Sequence, residues 1–172
     1  MTTWFTADLH IAHTNIMKYE SRPFGSVKEM NAVLRKNFNE VVGKDDVTYF
    51  LGDLASWYEI DIFHLEKFIR KLNGRKILIL GNHDQLKAFD YVNIGFESVH
   101  THFVIESKMG PIHLTHDPAV SRVYDEGYWL CGHVHGLFRL SENKRVLNVG
   151  VDVNDYKPIS LDDVVKIFEE AK

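Results

Sequence analysis

The chain is predicted to be one mixed α/β domain over residues 1–172, with a mainly parallel half followed by a mainly antiparallel half. Three observations predict this. As far as Leu80, buried-type apolar runs alternate with segments of helical periodicity, the pattern of a parallel sheet with helices on its faces. From Val99 onward the apolar runs are short and separated by Gly-containing turns, with no helical stretch until residue 160. No repeat, low-complexity tract or Pro/Ser-rich linker divides the sequence.

Taken in order, Thr3–Ala7 is an apolar, β-prone run that stops abruptly at Asp8. Residues 26–42 read as a helix. Ser26 and Glu29 have capping-box spacing, Met30, Leu34, Phe38 and Val41 recur at helical intervals, and Gly43 is placed to end it. Val47–Leu51 is a second buried strand, followed at once by Gly52-Asp53. Residues 60–72 form a second amphipathic helix through Ile62, Leu65, Ile69 and Leu72, stopped by Asn73-Gly74. Lys76–Leu80 is a third strand and runs into Gly81-Asn82-His83-Asp84. The second half supplies strands over Val99–Glu106, Pro111–Thr115, Tyr128–Cys131, Leu137–Leu140 and Arg145–Val149. A closing helix over 160–170 has Ser160 and Asp163 as its capping pair.

Composition excludes several classes. At 45% hydrophobic and 26% charged, the chain matches an ordinary globular protein rather than a disordered one. Its 20 Lys+Arg against 24 Asp+Glu leave a net charge of −4, so extended nucleic-acid binding is not expected, although a local basic patch is compatible with it. The single Cys131 can form no internal disulfide and reads as a buried strand thiol in a reducing compartment. The start MTTWFTADLH has neither the basic opening nor the apolar core of a signal peptide. The apolar run ILIL at 77–80 is far too short for a membrane span. The expected setting is the cytoplasm, without membrane association.

Ten His is the unusual figure, and several fall at the ends of predicted strands. Asp8-Leu9-His10, Gly52-Asp53, Gly81-Asn82-His83-Asp84, Thr115-His116-Asp117 and Gly132-His133-Val134-His135 repeat one pattern five times. Each time a buried strand delivers a carboxylate, amide or imidazole at its end, where open α/β sheets bind ligands. A mixed carboxylate, carboxamide and imidazole shell suits Mn²⁺, Fe²⁺, Ni²⁺ or Zn²⁺. Two such ions about 3.5–4 Å apart can share one hydroxide and clamp a phosphoryl group. Two ions with the carboxylates of Asp8 and Asp53 also leave a local positive charge that attracts a phosphate.

In this order, from residue 8 to 135, the blocks resemble those of the calcineurin-like metallophosphoesterases. The flanks, ADLHIAHTNI with RPF and NVGVDVN near the end, resemble a compact branch of that superfamily, so the likeness covers nearly the whole chain. It implies a four-layer α/β/β/α sandwich and hydrolysis of a phosphate ester by a hydroxide shared between two divalent ions, Mn²⁺ being the expected metal. By the same resemblance Asp8, His10, Asp53 and His135 hold one ion. Asp53, Asn82, His116 and His133 hold the other, with Asp53 bridging. His83 faces the phosphate and serves the leaving group. His116 departs from the common pattern in standing in THDP rather than beside a Gly.

Other residues have two readings. Asp84 either caps a following helix or orients His83. His13 is a partner of the ligands, a substrate contact or a surface histidine. Arg22 and Arg122 are candidate phosphate contacts, against the alternative of exposed structural arginines. Asp152 can support a ligand, and Trp57 and Tyr58 can wall the pocket or stack on a base. The expected partner is a small phosphate ester, a nucleotide-type diester before a monoester. The rivals are a catalytically silent scaffold of the same fold and a structural metal protein. The complete block set argues against the first, and one Cys against the second.

Overall fold

The computed structural model describes residues 1–55, 60–123 and 127–171; Trp57 and Tyr58 lie outside them. The elements in chain order are β1 (Thr3–Thr6), α1 (Ile16–Tyr19), α2 (Val27–Val41), β2 (Val47–Leu51), α3 (Ile62–Ile69), β3 (Arg75–Ile79) and α4 (Ala88–Ile94). There follow β4 (Ser98–His100), β5 (Phe103–Ser107), β6 (Gly110–Leu114), β7 (Tyr128–Cys131), β8 (Val146–Asn148), β9 (Ile159–Ser160) and α5 (Leu161–Glu170). They build two sheets, ordered β4-β3-β2-β1-β9 and β5-β6-β7-β8.

In the first sheet β1 to β4 are parallel and β9 is antiparallel. Strand residues alternate between two interiors, which explains the unbroken apolar runs. Phe50 and Leu78 face the helices, where they meet Met30, Leu34 and Phe38 of α2 and Leu65, Phe68 and Ile69 of α3. Phe5, Leu51 and Ile79 face the second sheet and pack on Ile112, Leu114, Leu130 and Leu147, with Val164 and Phe168 of α5 closing that core. The outer face of the second sheet has a slight cover: Trp129, Cys131 and Val146 lie under Val120, from a 3-10 helix over Pro118–Val123, and Phe138. Cys131 is fully buried there, and burial pushes its thiol pKa up.

The expected caps form. Ser26 Oγ accepts from Glu29 N at 3.2 Å, and Ser160 Oγ from Asp163 N at 3.1 Å. The Glu29 carboxylate takes the N–H of Gly25 rather than that of Ser26. Asp61 caps α3 by accepting from His64 N at 2.9 Å, which starts that helix later than residue 60.

Three strand expectations are corrected. The predicted Val99–Glu106 strand divides between β4 in the first sheet and β5 in the second, because the chain crosses between sheets at Thr101-His102. Leu137–Leu140 is no strand and makes only an isolated bridge, Leu140 to Leu147. The second half is not mainly antiparallel. Only β5 and β6 pair that way, whereas β6, β7 and β8 run parallel, since long connections rather than hairpins join them. Parallel order brings the carboxyl ends of β6 and β7 to the same edge as those of β1, β2 and β3.

Candidate metal centre

That edge gathers all five polar blocks. Beyond β1, the pairing to the β2 side continues: Asp8 N donates to Gly52 O, His10 N to Asp53 O and Ile11 N to Leu54 O. Leu9 and Ile11 face the helix-side core, so Asp8 and His10 point the other way. From the second sheet, His116 Nδ1 donates to Leu51 O at 2.7 Å, which fixes the ring and leaves Nε2 facing the centre.

The backbone here is unusual. Asp8, His10, Asp53, His133 and His135, five of the seven expected metal ligands, have φ between +45° and +73°. This left-handed region is uncommon for residues other than Gly, and such conformations cluster at functional sites. Close approach also requires two glycines. A Cβ on Gly52, whose φ is +85°, would lie 2.6 Å from the Gly81 Cα, and one on Gly132 would lie 2.6 Å from the Ala7 Cβ.

Beside a group from Glu20, His135 and Asp152, two groups of ligand atoms result at the strand ends, one from Asp8, His10 and His135 and one from Asp53, His116 and His133, the atoms within each lying within 4.8 Å of one another. Asp53 stands between them, its Oδ2 3.6 Å from His10 Nε2 and 3.4 Å from His116 Nε2. Asn82 Oδ1 is 2.9 Å from both His116 Nε2 and His133 Nδ1. Backbone N–H groups aim the carboxylates: His133 N donates to Asp8, and His83 N to Asp53 Oδ1.

Burial and mutual attraction shift the titration of these groups. Burial raises the Asp8 pKa to about 6 against the pull of His116 and His135, and pushes that of His10 down to about 3. Burial also disfavours charge on Asp53 and His116, but their bond and mutual attraction prevail, holding Asp53 at about 2 and His116 up at about 9. His10 Nε2 is buried with no hydrogen-bond partner among the described residues, which is costly for an imidazole nitrogen unless something binds it. Oxygen and imidazole donors with no thiolate fit divalent ions of the Mn²⁺ to Zn²⁺ series.

The remaining expectations divide. His83 is exposed at the mouth of the centre, its ring centroid 5.4 Å from that of His10. His13 sits against His10 with the two Nδ1 atoms 3.3 Å apart, so it is a neighbour of a ligand rather than a free surface group. Arg22 is not a phosphate contact. Its side chain is fully buried, bidentate to Asp152 at 2.7 and 2.9 Å, and it donates to the carbonyls of Leu9 and Asp8. Asp152 in turn accepts from His135 Nδ1 at 2.9 Å, which supplies the support foreseen for it. Asp84 neither caps α4 nor meets the His83 ring. Its carboxylate accepts the N–H groups of Asp53, Gly81 and Leu54 and so ties the β2 and β3 loops together. Arg122 is exposed on the 3-10 helix and lines a cleft with Trp129 and Arg145 on the outer face of the second sheet, away from the ligands.

Sequence reasoning missed Asn148. Fully buried, it donates to the carbonyls of His135 and Phe138 and accepts from Gly150 N, holding the loop that carries His135. An Asn inside the apolar run VLNV was the available signal.

Comparison with known proteins agrees with this geometry. The family model described as calcineurin-like phosphoesterase matches residues 1–109. An uncharacterized protein of Methanocaldococcus jannaschii is 35% identical, over 98% of this chain and 92% of that one. A solved protein of unknown function from Aquifex aeolicus superposes with TM-score 0.79 at 28% identity, covering 96% of this chain and 98% of its own. A solved archaeal phosphodiesterase shares the fold, with TM-score 0.50 and 16% identity over 94% and 99%. No described helix is long and apolar enough to cross a membrane. With the family matched over most of the chain and the ligand sets assembled, the chain belongs to the calcineurin-like phosphoesterases and is a metal-dependent hydrolase of phosphoric esters.

Proposed function

We propose that this phosphoesterase holds two divalent ions, Mn²⁺ first among them, and acts on small phosphodiesters of nucleotide type. The observation that carries the reading is Asp53 Oδ2, which lies between the two ligand groups and within 3.6 Å of a histidine from each. Asp8, His10, Asp53 and His135 would hold one ion, and Asp53, Asn82, His116 and His133 the other. When bound, such a pair supplies a nucleophile at neutral pH and neutralises phosphoryl charge.

The protein's own residues do the rest. Asp84 and the Arg22–Asp152 pair keep the ligand loops in register. His83, exposed where substrate enters, donates a proton to the leaving oxygen and steadies the charge developing there. Exposure of both His83 and Asn82 leaves the mouth open, which suits a phosphate substituted on two sides as well as a monoester. The archaeal phosphodiesterase provides a precedent on the same fold. The proposed setting is the cytoplasm, where a lone buried Cys131 stays reduced.

The test is hydrolysis of bis-p-nitrophenyl phosphate beside p-nitrophenyl phosphate by chelator-stripped protein refilled with Mn²⁺. Metal-dependent release from the diester is expected. Release from the monoester alone would overturn the substrate class. His83→Ala should retain its metal and lose about 10²–10⁴-fold in turnover; full turnover would remove His83 from the chemistry.

A further inference from the structure

Net charge conceals an uneven surface. Helices α2 and α3 lie side by side over the first sheet, and between them runs a groove of about 850 Å³. Lys28 and Arg35 of α2 line it on one side, and Lys67 and Lys71 of α3 and its continuation on the other. Seven residues separate Lys28 from Arg35, about 10 Å along the helix axis, so cations stand along the groove rather than at one point. None of these four makes an ion pair among the described residues. Elsewhere Lys36, Arg70, Arg75, Lys108, Lys157 and Lys166 are each paired with a glutamate. Among the described lining residues one acid, Asp61, is present; it caps α3 and meets His64 Nδ1 at 2.7 Å.

The groove also lies near the metal centre. Ile11 and Ala12, which directly follow His10, line part of it from the side opposite the His10 ring, and Ala12 N donates to Asn31 Oδ1 of α2. Ile60 and Asp61 also line a water-sized cavity of about 20 Å³ that His83 borders, so the groove and the centre are neighbours. Between the cationic walls the accessible apolar lining is slight: Ile60 is half-buried, while Ile11 and Phe68 belong to the helix-side core. Repeating phosphates of a flexible strand match cations spaced along a groove.

We propose that this groove binds a single strand of nucleic acid beside the metal centre. The substrate class rests on the phosphodiesterase reading above, whereas the binding does not. Cleavage at the centre adds water across one P–O bond, leaving a phosphomonoester on one product and a hydroxyl on the other. A stiff duplex carries its phosphates on a fixed helical path, so cations set along one groove should hold a flexible single strand in preference.

The test is fluorescence anisotropy of the Mn²⁺-loaded chain with a fluorescein-labelled phosphorothioate oligothymidylate of ten nucleotides, a backbone that keeps its charge and resists cleavage. Binding should weaken with salt at a log–log slope of about −3, from about −0.7 per single-strand phosphate contact. Lys67→Gln with Lys71→Gln should weaken binding at least tenfold at low salt and reduce the slope by about 1.4. Hydrolysis of bis-p-nitrophenyl phosphate should be unchanged, since both lysines are exposed and neither belongs to the ligand groups. Arg35→Gln repeats the test from the opposite wall. Equal binding by the wild type and these variants, or equally tight binding of a duplex, would overturn the proposal. An oligonucleotide left unbound by a chain that cleaves the small diester sinks the groove alone. Groove-dependent binding without hydrolysis of any diester sinks the phosphodiesterase reading and leaves the groove standing.

Discussion

Replacing Asp152 by Asn tests how the His135 arm is held. The substitution keeps shape but removes the charge between Arg22 and His135, leaving a guanidinium whose side chain is fully buried without its counter-ion. Breaking a buried pair from one side costs about 3–5 kcal/mol. An amide oxygen still accepts one Arg22 bond, which puts the loss near the lower figure, about 3 kcal/mol. For a chain of this length each kcal/mol moves Tm by about 2–4 °C, so a fall of about 6–12 °C is expected. Differential scanning calorimetry with chelator present separates this from metal release. Mn²⁺ titration calorimetry should then show affinity lowered about 10–100-fold, the usual effect of removing a histidine's supporting carboxylate. Removing both charges, as Arg22→Met with Asp152→Leu, should recover only part of the stability, because the carbonyls of Asp8 and Leu9 also lose their donor. An Asp152→Asn protein with wild-type Tm and wild-type Mn²⁺ affinity would refute the reasoning, since Arg22 and His135 could then not depend on that carboxylate.

Further outcomes follow from the same geometry. Gly132→Ala places a methyl group 2.6 Å from the Ala7 Cβ and 3.0 Å from Leu51 O, so the His133 loop must move; Mn²⁺ stoichiometry below wild type is the expected reading. Asn148→Leu strands the carbonyls of His135 and Phe138 and the N–H of Gly150, costing about 2–4 kcal/mol in urea unfolding; an unchanged midpoint would contradict the hydrogen-bond assignment. In metal-free protein, His116 has its pKa raised from 6.5 to about 9. Its contribution to stability is therefore full below pH 6.5 and disappears as pH rises through about 9. Metal requires that nitrogen unprotonated, so Mn²⁺ affinity should rise over the same interval. Binding at pH 7.5 should release protons, measurable by calorimetry in buffers of different ionisation enthalpy, and no such release would show that His116 is already neutral.

The strand ends that carry ligands were legible because each apolar run stops abruptly at a residue with no packing use, such as Asp8, Asp53 or His133. Helix starts were legible from Ser26 and Ser160, whose partners are three residues away. Strand direction in the second sheet was not, since alternation along Pro111–Thr115 reports which side is buried and nothing about the neighbouring strand. The crossing at Thr101-His102 was hidden for the same reason, because both pieces read as strand. Arg22 resembled a surface residue beside Pro23, and its partner is 130 positions further along. Asp84 likewise satisfies N–H groups on loops about 30 residues away, which no local spacing announces.

The left-handed backbone at Asp8, His10, Asp53, His133 and His135 changes how ligand deletions should be designed. An alanine at φ near +50° costs about 1–2 kcal/mol in conformation alone. An alanine scan would therefore mix a missing donor with a loop relaxing out of an unfavoured shape, and would overstate what each ligand contributes to metal affinity. Glycine and asparagine tolerate that conformation. A matched pair such as His10→Gly and His10→Ala measures the two effects separately, with the difference between them belonging to the chain and the remainder to the metal.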